Sequence, residues 1–336
     1  MNWHIVWFDP NSGRLRSGWR VLAFLGMAAA FFFSMLLLFS LLLPFETPPK
    51  KIEQQYLLNL TFVLALIPAT IAAGIWALRS FDRLPPRTLG VTPEGAWARQ
   101  LALGILFGLV LATVGVMALW ATGAATVRWQ GLGETVLLVI GGAGLFMLAV
   151  GLAEELLFRG YIFQTLLRGI GPLLTLVVTS LLFALFHLGN ANLSLLGVTN
   201  IFVAGILFGM LYLRTGLLWM PIGLHMGWNY ALVLFGTPVS GNAVGLPTPF
   251  VTTVTPAYAA TISGGAFGLE GSVIGSIVLL GAVALVTYWR SGLTLESRWW
   301  EWRGFLLTTE VPQNWDFTVG SRHYQWKLQE REQGGE

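Results

Sequence analysis

Ionisable side chains are scarce inside the apolar stretches of this chain, and those between residues 135 and 235 include Glu154, Glu155, Arg159, His187 and His225, with the amide Asn229 beside them. Each costs roughly 2.5–3.5 kcal/mol at the centre of a membrane helix, so each needs a reason to be there. Arg159 follows Glu155 by one helical turn, on the same face and in the favourable acid-before-base order. Glu155 therefore has a partner. Glu154 points about 100° away around the helix and has no local cation. A desolvated, unpaired carboxylate is the kind of group that takes a proton from water in general-base chemistry. Phe183 and His187 form an i, i+4 pair, and His225 and Asn229 form another.

Spacing links the first two groups. The segment Arg168-Gly169-Ile170-Gly171-Pro172 reads as a turn, with Glu154 16 residues before Ile170 and His187 17 residues after it. At about 1.5 Å per residue, the two side chains reach the same height on adjacent antiparallel helices. Taken singly, each piece has an ordinary explanation: charges near a helix end snorkel to the interface, and a membrane His or Asn donates an interhelical hydrogen bond worth under about 2 kcal/mol. Three helices each presenting a catalytic residue type is the stronger observation.

The elements that must position these residues are membrane helices. The chain is 55% hydrophobic and 10% charged, against roughly 25% charged in a soluble domain. Apolar runs predict about eight spans, near 21–43, 57–78, 101–122, 135–157, 173–188, 195–213, 217–235 and 273–289. The expected fold is an all-α, polytopic transmembrane helix bundle. It divides into an interfacial N-terminal segment (1–20), a transmembrane domain (21–289, with the motif core at 135–235) and a cytoplasmic C-terminal tail (290–336). Sixteen Lys and Arg fall in the segments on one side and three on the other, so both termini are expected in the cytoplasm of a multi-pass protein. The 236–271 connection, rich in Gly, Pro, Thr and Ser with Glu270 as its only charge, reads as a flexible outer loop; the alternative is that it folds back over the helices.

The inventory excludes several chemistries. There is no cysteine, which removes disulfides and thiol nucleophiles, and the three aspartates, Asp9, Asp82 and Asp316, lie outside the predicted spans, which removes an intramembrane aspartyl dyad. No serine sits in a Gly-x-Ser-x-Gly context. The basic residues do not form a stripe with interleaved aromatics, so nucleic acid is not an expected partner.

The order Glu-Glu-x-x-x-Arg (Glu154 to Arg159), Phe-x-x-x-His (Phe183 to His187) and His-x-x-x-Asn (His225 to Asn229) on three separate helices resembles the CPBP family of intramembrane proteases, which includes CAAX prenyl endopeptidases and bacterial Abi-type proteins. The stretch from Gly264 to Gly271 also looks like a loop of bacterial members. The resemblance implies hydrolysis of peptide bonds within a prokaryotic plasma membrane. It makes Glu154 the water-activating base assisted by His187, and His225 and Asn229 the oxyanion donors, with Glu155, Arg159 and Phe183 supporting. Two donors on one helix face agree with that role. The implied partners are membrane lipids and a peptide or protein substrate, lipid-modified or membrane-embedded.

One Glu and two His also make a ligand set of catalytic zinc, which would engage Glu154, His187 and His225. No metal or other cofactor is expected, because the chain has no His-Glu-x-x-His and Glu155 is engaged by Arg159. Two other classes compete with a protease: an ion- or proton-coupled transporter, and a non-catalytic immunity or scaffold protein. No internal repeat of the transporter kind is seen.

Overall fold

The computed structural model describes residues 7–8, 13–42, 52–93, 95–288, 314–319 and 322–327. In a bilayer, each backbone N–H and C=O must find its partner within the chain, and an uninterrupted apolar run does so by coiling into a helix. Eight such helices form the bundle among the described residues: α1 (Ser17–Leu42), α2 (Ile52–Ala77), α3 (Trp97–Ala121), α4 (Glu134–Glu155), α5 (Phe163–Phe186), α6 (Leu195–Thr215), α7 (Trp219–Leu234) and α8 (Val273–Tyr288). The all-α membrane bundle expected from composition is observed.

Each predicted span coincides with one of these helices. Among the described residues, five helical runs are long and apolar enough to cross a membrane; one of them, Glu134–Phe186, holds both α4 and α5, and α7 and α8 have only 16 residues each. A span needs about 20. Helix α7 is short because it is wrapped by other helices: twelve of its residues are buried. The join between α4 and α5 is a π-helical stretch, Leu156–Ile162. The predicted turn reduces to a single break at Gly171 (φ 73°, ψ 173°), a backbone conformation open essentially only to glycine. Pro172 then opens the second arm.

Helix α7 reaches the middle of the bundle through glycine. Gly104 and Gly108 on α3 face Gly223 and Gly227 on α7, a four-residue glycine spacing on both helices that lets backbones touch. A methyl group on Gly108 would overlap the carbonyl oxygen of Leu224, and one on Gly227 that of Ile105. On another side of α7, a methyl on Gly151 of α4 would stand 3.2 Å from the carbonyl oxygen of Ile222.

The 236–271 connection is not a flexible loop. Strand β1 (Ala125–Trp129) pairs antiparallel with β2 (Phe250–Val254), from Ala125 opposite Val254 to Trp129 opposite Phe250. One helical turn, Ala260–Ser263, and two 3-10 turns, Gly265–Phe267 and Leu269–Gly271, follow. Phe267 and Leu269 are buried, Phe267 against Gly197 of α6 and Leu269 against Gly115 of α3. Asn200 of α6 donates to the carbonyl oxygens of Glu270 (2.8 Å) and Ser272 (3.0 Å). A glycine-rich composition here supplies tight turns and close approaches rather than mobility.

Asp82, expected outside the spans, ends a π-helical extension of α2 (Leu78–Asp82) and is buried. It gathers Arg20 of α1, Tyr161 (2.7 Å) from the π-helical stretch and Arg168 (3.3 Å) of α5. Helix α1 starts at Ser17, four residues before the predicted span, and Trp7 stacks on Trp19 with ring centroids 4.2 Å apart. Of the expected tail, β3 (Asn314–Val319) and β4 (Arg322–Lys327) pair as an antiparallel ladder; the rest of 290–336 and residues 1–6 and 9–12 lie outside the described residues.

The glycine contact between α3 and α7 yields a stability prediction. Gly227→Ala should cost about 1–3 kcal/mol through overpacking, lowering the thermal midpoint of the detergent-solubilised protein. Gly141→Ala, on a helix face with no heavy atom within 4 Å, should leave the midpoint unchanged or slightly raised.

Candidate active site

The two glutamates sit on the last turn of α4, where the chain passes into the π-helical stretch, a helix variant frequent at functional sites. Glu155 points inward and is fully buried, with its Oε1 3.0 Å from Nη1 of Arg159, which is buried as well. The guanidinium also donates to the carbonyl oxygen of Gly205 on α6 at 3.0 Å and lies over the Phe183 ring, 4.6 Å from its centroid. A buried charge must be paired and hydrogen-bonded; these contacts serve the two terminal nitrogens of Arg159, while its Nε and Oε2 of Glu155 are buried without a hydrogen-bond partner in the protein. The expected pairing of Glu155 with Arg159 is present, and Phe183 forms the shelf beneath the guanidinium.

Glu154 takes the other direction. Its Oε2 lies 3.7 Å from Nε2 of His187 and 3.9 Å from Nε2 of His225, and has no hydrogen-bond partner within the protein. Both separations exceed direct hydrogen-bonding distance, so the carboxylate and the two imidazoles are close neighbours that do not bond one another directly. His187 ends α5, and its Nδ1 lies 2.7 Å from the carbonyl oxygen of Phe183. Since a carbonyl only accepts, the proton belongs on Nδ1, which turns Nε2 towards Glu154. Phe183 thereby supports His187 as well, its ring centroid 4.7 Å from the imidazole.

His225 of α7 lies between the two carboxylates. Its Nδ1 is 3.3 Å from Oε1 of Glu155, and the ring stacks on Phe208 of α6 at 4.9 Å and 18°. The link from His225 to Glu155 was not foreseen, since 70 residues separate them. Glu155 thus orients an imidazole in addition to neutralising Arg159.

Next to these groups is a cavity with about 30 Å³ in which a water centre fits, room for a water molecule or two. His187, His225 and Asn229 form part of its wall; Glu154 does not, and meets the histidines at their Nε2 atoms instead. The four predicted catalytic residues therefore assemble as three on the cavity and one beside them. The wall also includes Trp228, Ser240 and Glu270, none of which was singled out for catalysis. The signal for Glu270 was present: it is the only charge in the 236–271 connection, set among glycines. Among the described residues, no group of three or more His, Cys, Asp and Glu side chains is arranged to hold a metal ion.

Together the bundle and its interior define a polytopic α-helical membrane protein with a carboxylate and two imidazoles facing one another inside the fold. Residues 136–231, which hold all three motifs, match the family model described as Type II CAAX prenyl endopeptidase Rce1-like. A comparison with curated proteins finds no match.

The Glu155–Arg159 pair predicts an asymmetry. Arg159→Ala leaves a fully buried carboxylate without its cation and should cost about 3–5 kcal/mol, seen as a large drop in thermal midpoint. Replacing both partners with methionine should recover part of that loss, because an apolar pair leaves no uncompensated charge. A double variant less stable than Arg159→Ala would show that the pair is not the origin of the cost.

Proposed function

We propose that this chain is an intramembrane endopeptidase in which Glu154 activates water, with His187, His225 and Asn229 as the other catalytic residues. The observation that carries the reading is the unpartnered Glu154 oxygen, lying within 4 Å of two imidazole nitrogens inside the bundle. The family match over 136–231 supplies the reaction class.

In this mechanism, a water molecule between Glu154 and His187 attacks the scissile carbonyl carbon and gives its proton to the Glu154 carboxylate. The carbonyl oxygen takes the electron pair and becomes an oxyanion, which accepts hydrogen bonds from the Asn229 amide and from Nε2–H of a His225 imidazolium whose Nδ1–H is held by Glu155. As the carbonyl re-forms, the carbon–nitrogen bond breaks and the proton held by Glu154 goes to the leaving amine. Glu155 keeps His225 oriented, Arg159 pairs with Glu155, and Phe183 supports Arg159 and His187.

The substrate class is a peptide or protein chain carrying a lipid or lying in the membrane, since the site is inside an apolar bundle. The catalytic unit is 21–289 with its core at 135–235. In this reading both termini are cytoplasmic, which the excess of Lys and Arg on one side supports, and the likeness of the Gly264–Gly271 stretch to bacterial members favours a prokaryotic plasma membrane.

Glu154→Gln keeps size and hydrogen-bonding capacity and removes basicity. Hydrolysis of a prenylated CAAX peptide or a transmembrane reporter peptide by the purified protein should fall by about 10²–10⁴-fold, with an unchanged thermal midpoint. Undiminished hydrolysis by this variant would overturn the mechanism. Asn229→Ala should lower turnover by about 10²–10³-fold while the substrate still binds.

Metal dependence is tested separately, by treating the purified protein with a chelator. Retained activity is expected when Glu154 and His187 hold the water themselves. Activity lost to the chelator and restored by stoichiometric zinc would make Glu154, His187 and His225 ligands and leave the peptidase reading standing.

A further inference from the structure

Glu270 is a buried carboxylate for which the proposed mechanism has no use. It lies on the 3-10 turn Leu269–Gly271 and forms part of the wall of the same cavity as His187, His225 and Asn229. One oxygen accepts the indole N–H of Trp228 at 3.0 Å, and the other accepts the backbone N–H of Ser240.

These two bonds end at the two motif segments. Trp228 precedes Asn229 directly and follows His225 by three residues on α7. Ser240 accepts a hydrogen bond from the Asn190 side chain at 2.9 Å, and the Asn190 N–H in turn donates to the carbonyl oxygen of His187 at 3.0 Å. Glu270 is therefore the junction between the segment that carries His187 and the helix that carries His225 and Asn229.

Anchoring the loop does not require this carboxylate. The β1–β2 pairing, the two hydrogen bonds from Asn200 and the buried Phe267 and Leu269 already hold the connection to the bundle. Burying a carboxylate costs several kcal/mol unless its lone pairs are met. What a charged acceptor adds over a neutral one is shorter, stronger hydrogen bonds, and so a better-fixed geometry at the atoms it holds.

We infer that Glu270 is a positioning residue of this site: its bonds to Trp228 and Ser240 hold the Asn229 amide towards the oxyanion and close the cavity on the side of the loop. The inference rests on the peptidase reading for its catalytic part and on geometry alone for the closure.

The catalytic part is tested by a double-mutant cycle. Glu270→Gln should lower kcat at least about tenfold with KM within about threefold of the unmodified protein, because the lost interaction serves the transition state. Trp228→Phe, which removes only the indole N–H and some ring area, should show the same split. In an Asn229→Ala background, Glu270→Gln should cost no more than about twofold further, since a residue acting through Asn229 has nothing left to position. Losses that multiply, or an unaltered kcat, would overturn this role.

The closure is tested without any substrate. The chain contains no cysteine, so Ala204→Cys places one thiol on the cavity wall. A small water-soluble maleimide should label it at least about fivefold faster when Glu270→Gln is added, as local opening becomes easier. Equal labelling rates would overturn the closure. If the unmodified protein hydrolyses nothing, the peptidase reading fails, while the labelling comparison still decides whether Glu270 closes the cavity.

Discussion

The close approach of α3 and α7 is the constraint on which the site depends. Helix α7 carries His225 and Asn229, and it reaches their neighbours only because Gly104, Gly108, Gly223 and Gly227 remove the side chains that would hold two helices apart. Between helices in lipid, the drive to pack comes from dispersion and hydrogen bonding rather than from water exclusion, so backbone proximity has greater weight than in a soluble core. Gly151 on α4 repeats the device on another side of α7, where Glu154 and Glu155 follow within a turn. The polar site is thus framed by small residues, which lets two carboxylates and two imidazoles come within about 4 Å of one another inside an apolar bundle.

Two adjacent glutamates divide their work because neighbouring helical positions face different ways. Glu155 turns inward to Arg159 and His225, where its charge is neutralised and serves to orient a ring. Glu154 turns towards the gap between the histidines and keeps one oxygen free of protein partners. The π-helical stretch that begins one residue later holds Arg159 and Tyr161, and every residue in it is buried. It also carries the chain onward without a break, so α4 and the first arm of α5 make one long rod. That rod places Glu154 about 25 Å from the break at Gly171 and brings His187 back to the same level.

What the sequence disclosed followed from how local the interaction is. The Glu155–Arg159 pair is a one-turn relation, and the meeting of Glu154 with His187 follows from counting residues on both sides of Gly171 and Pro172. The contact of His225 with Glu155 spans 70 residues and depends on the glycine packing of α7, a pattern visible in the spacing of four but carrying no information on which helix it meets. The 236–271 connection was misread because glycine looks the same in a mobile loop and in a tight turn. Only the buried Phe267, Leu269 and Glu270 tell the two apart. The strands β1 and β2 were missed because five residues of β-branched character are too short to stand out beside runs of twenty.

Asp82 bears on the order in which the protein assembles. It is made after Arg20 and long before Tyr161 and Arg168, yet it holds all three. Only Arg20 among these partners belongs to the N-terminal helical hairpin; Tyr161 and Arg168 come from the π-helical stretch and the first arm of α5. The hairpin therefore cannot complete the tie by itself: the Tyr161 hydroxyl belongs to a segment 79 residues downstream, and the full cluster exists only once the chain has been synthesised past Arg168.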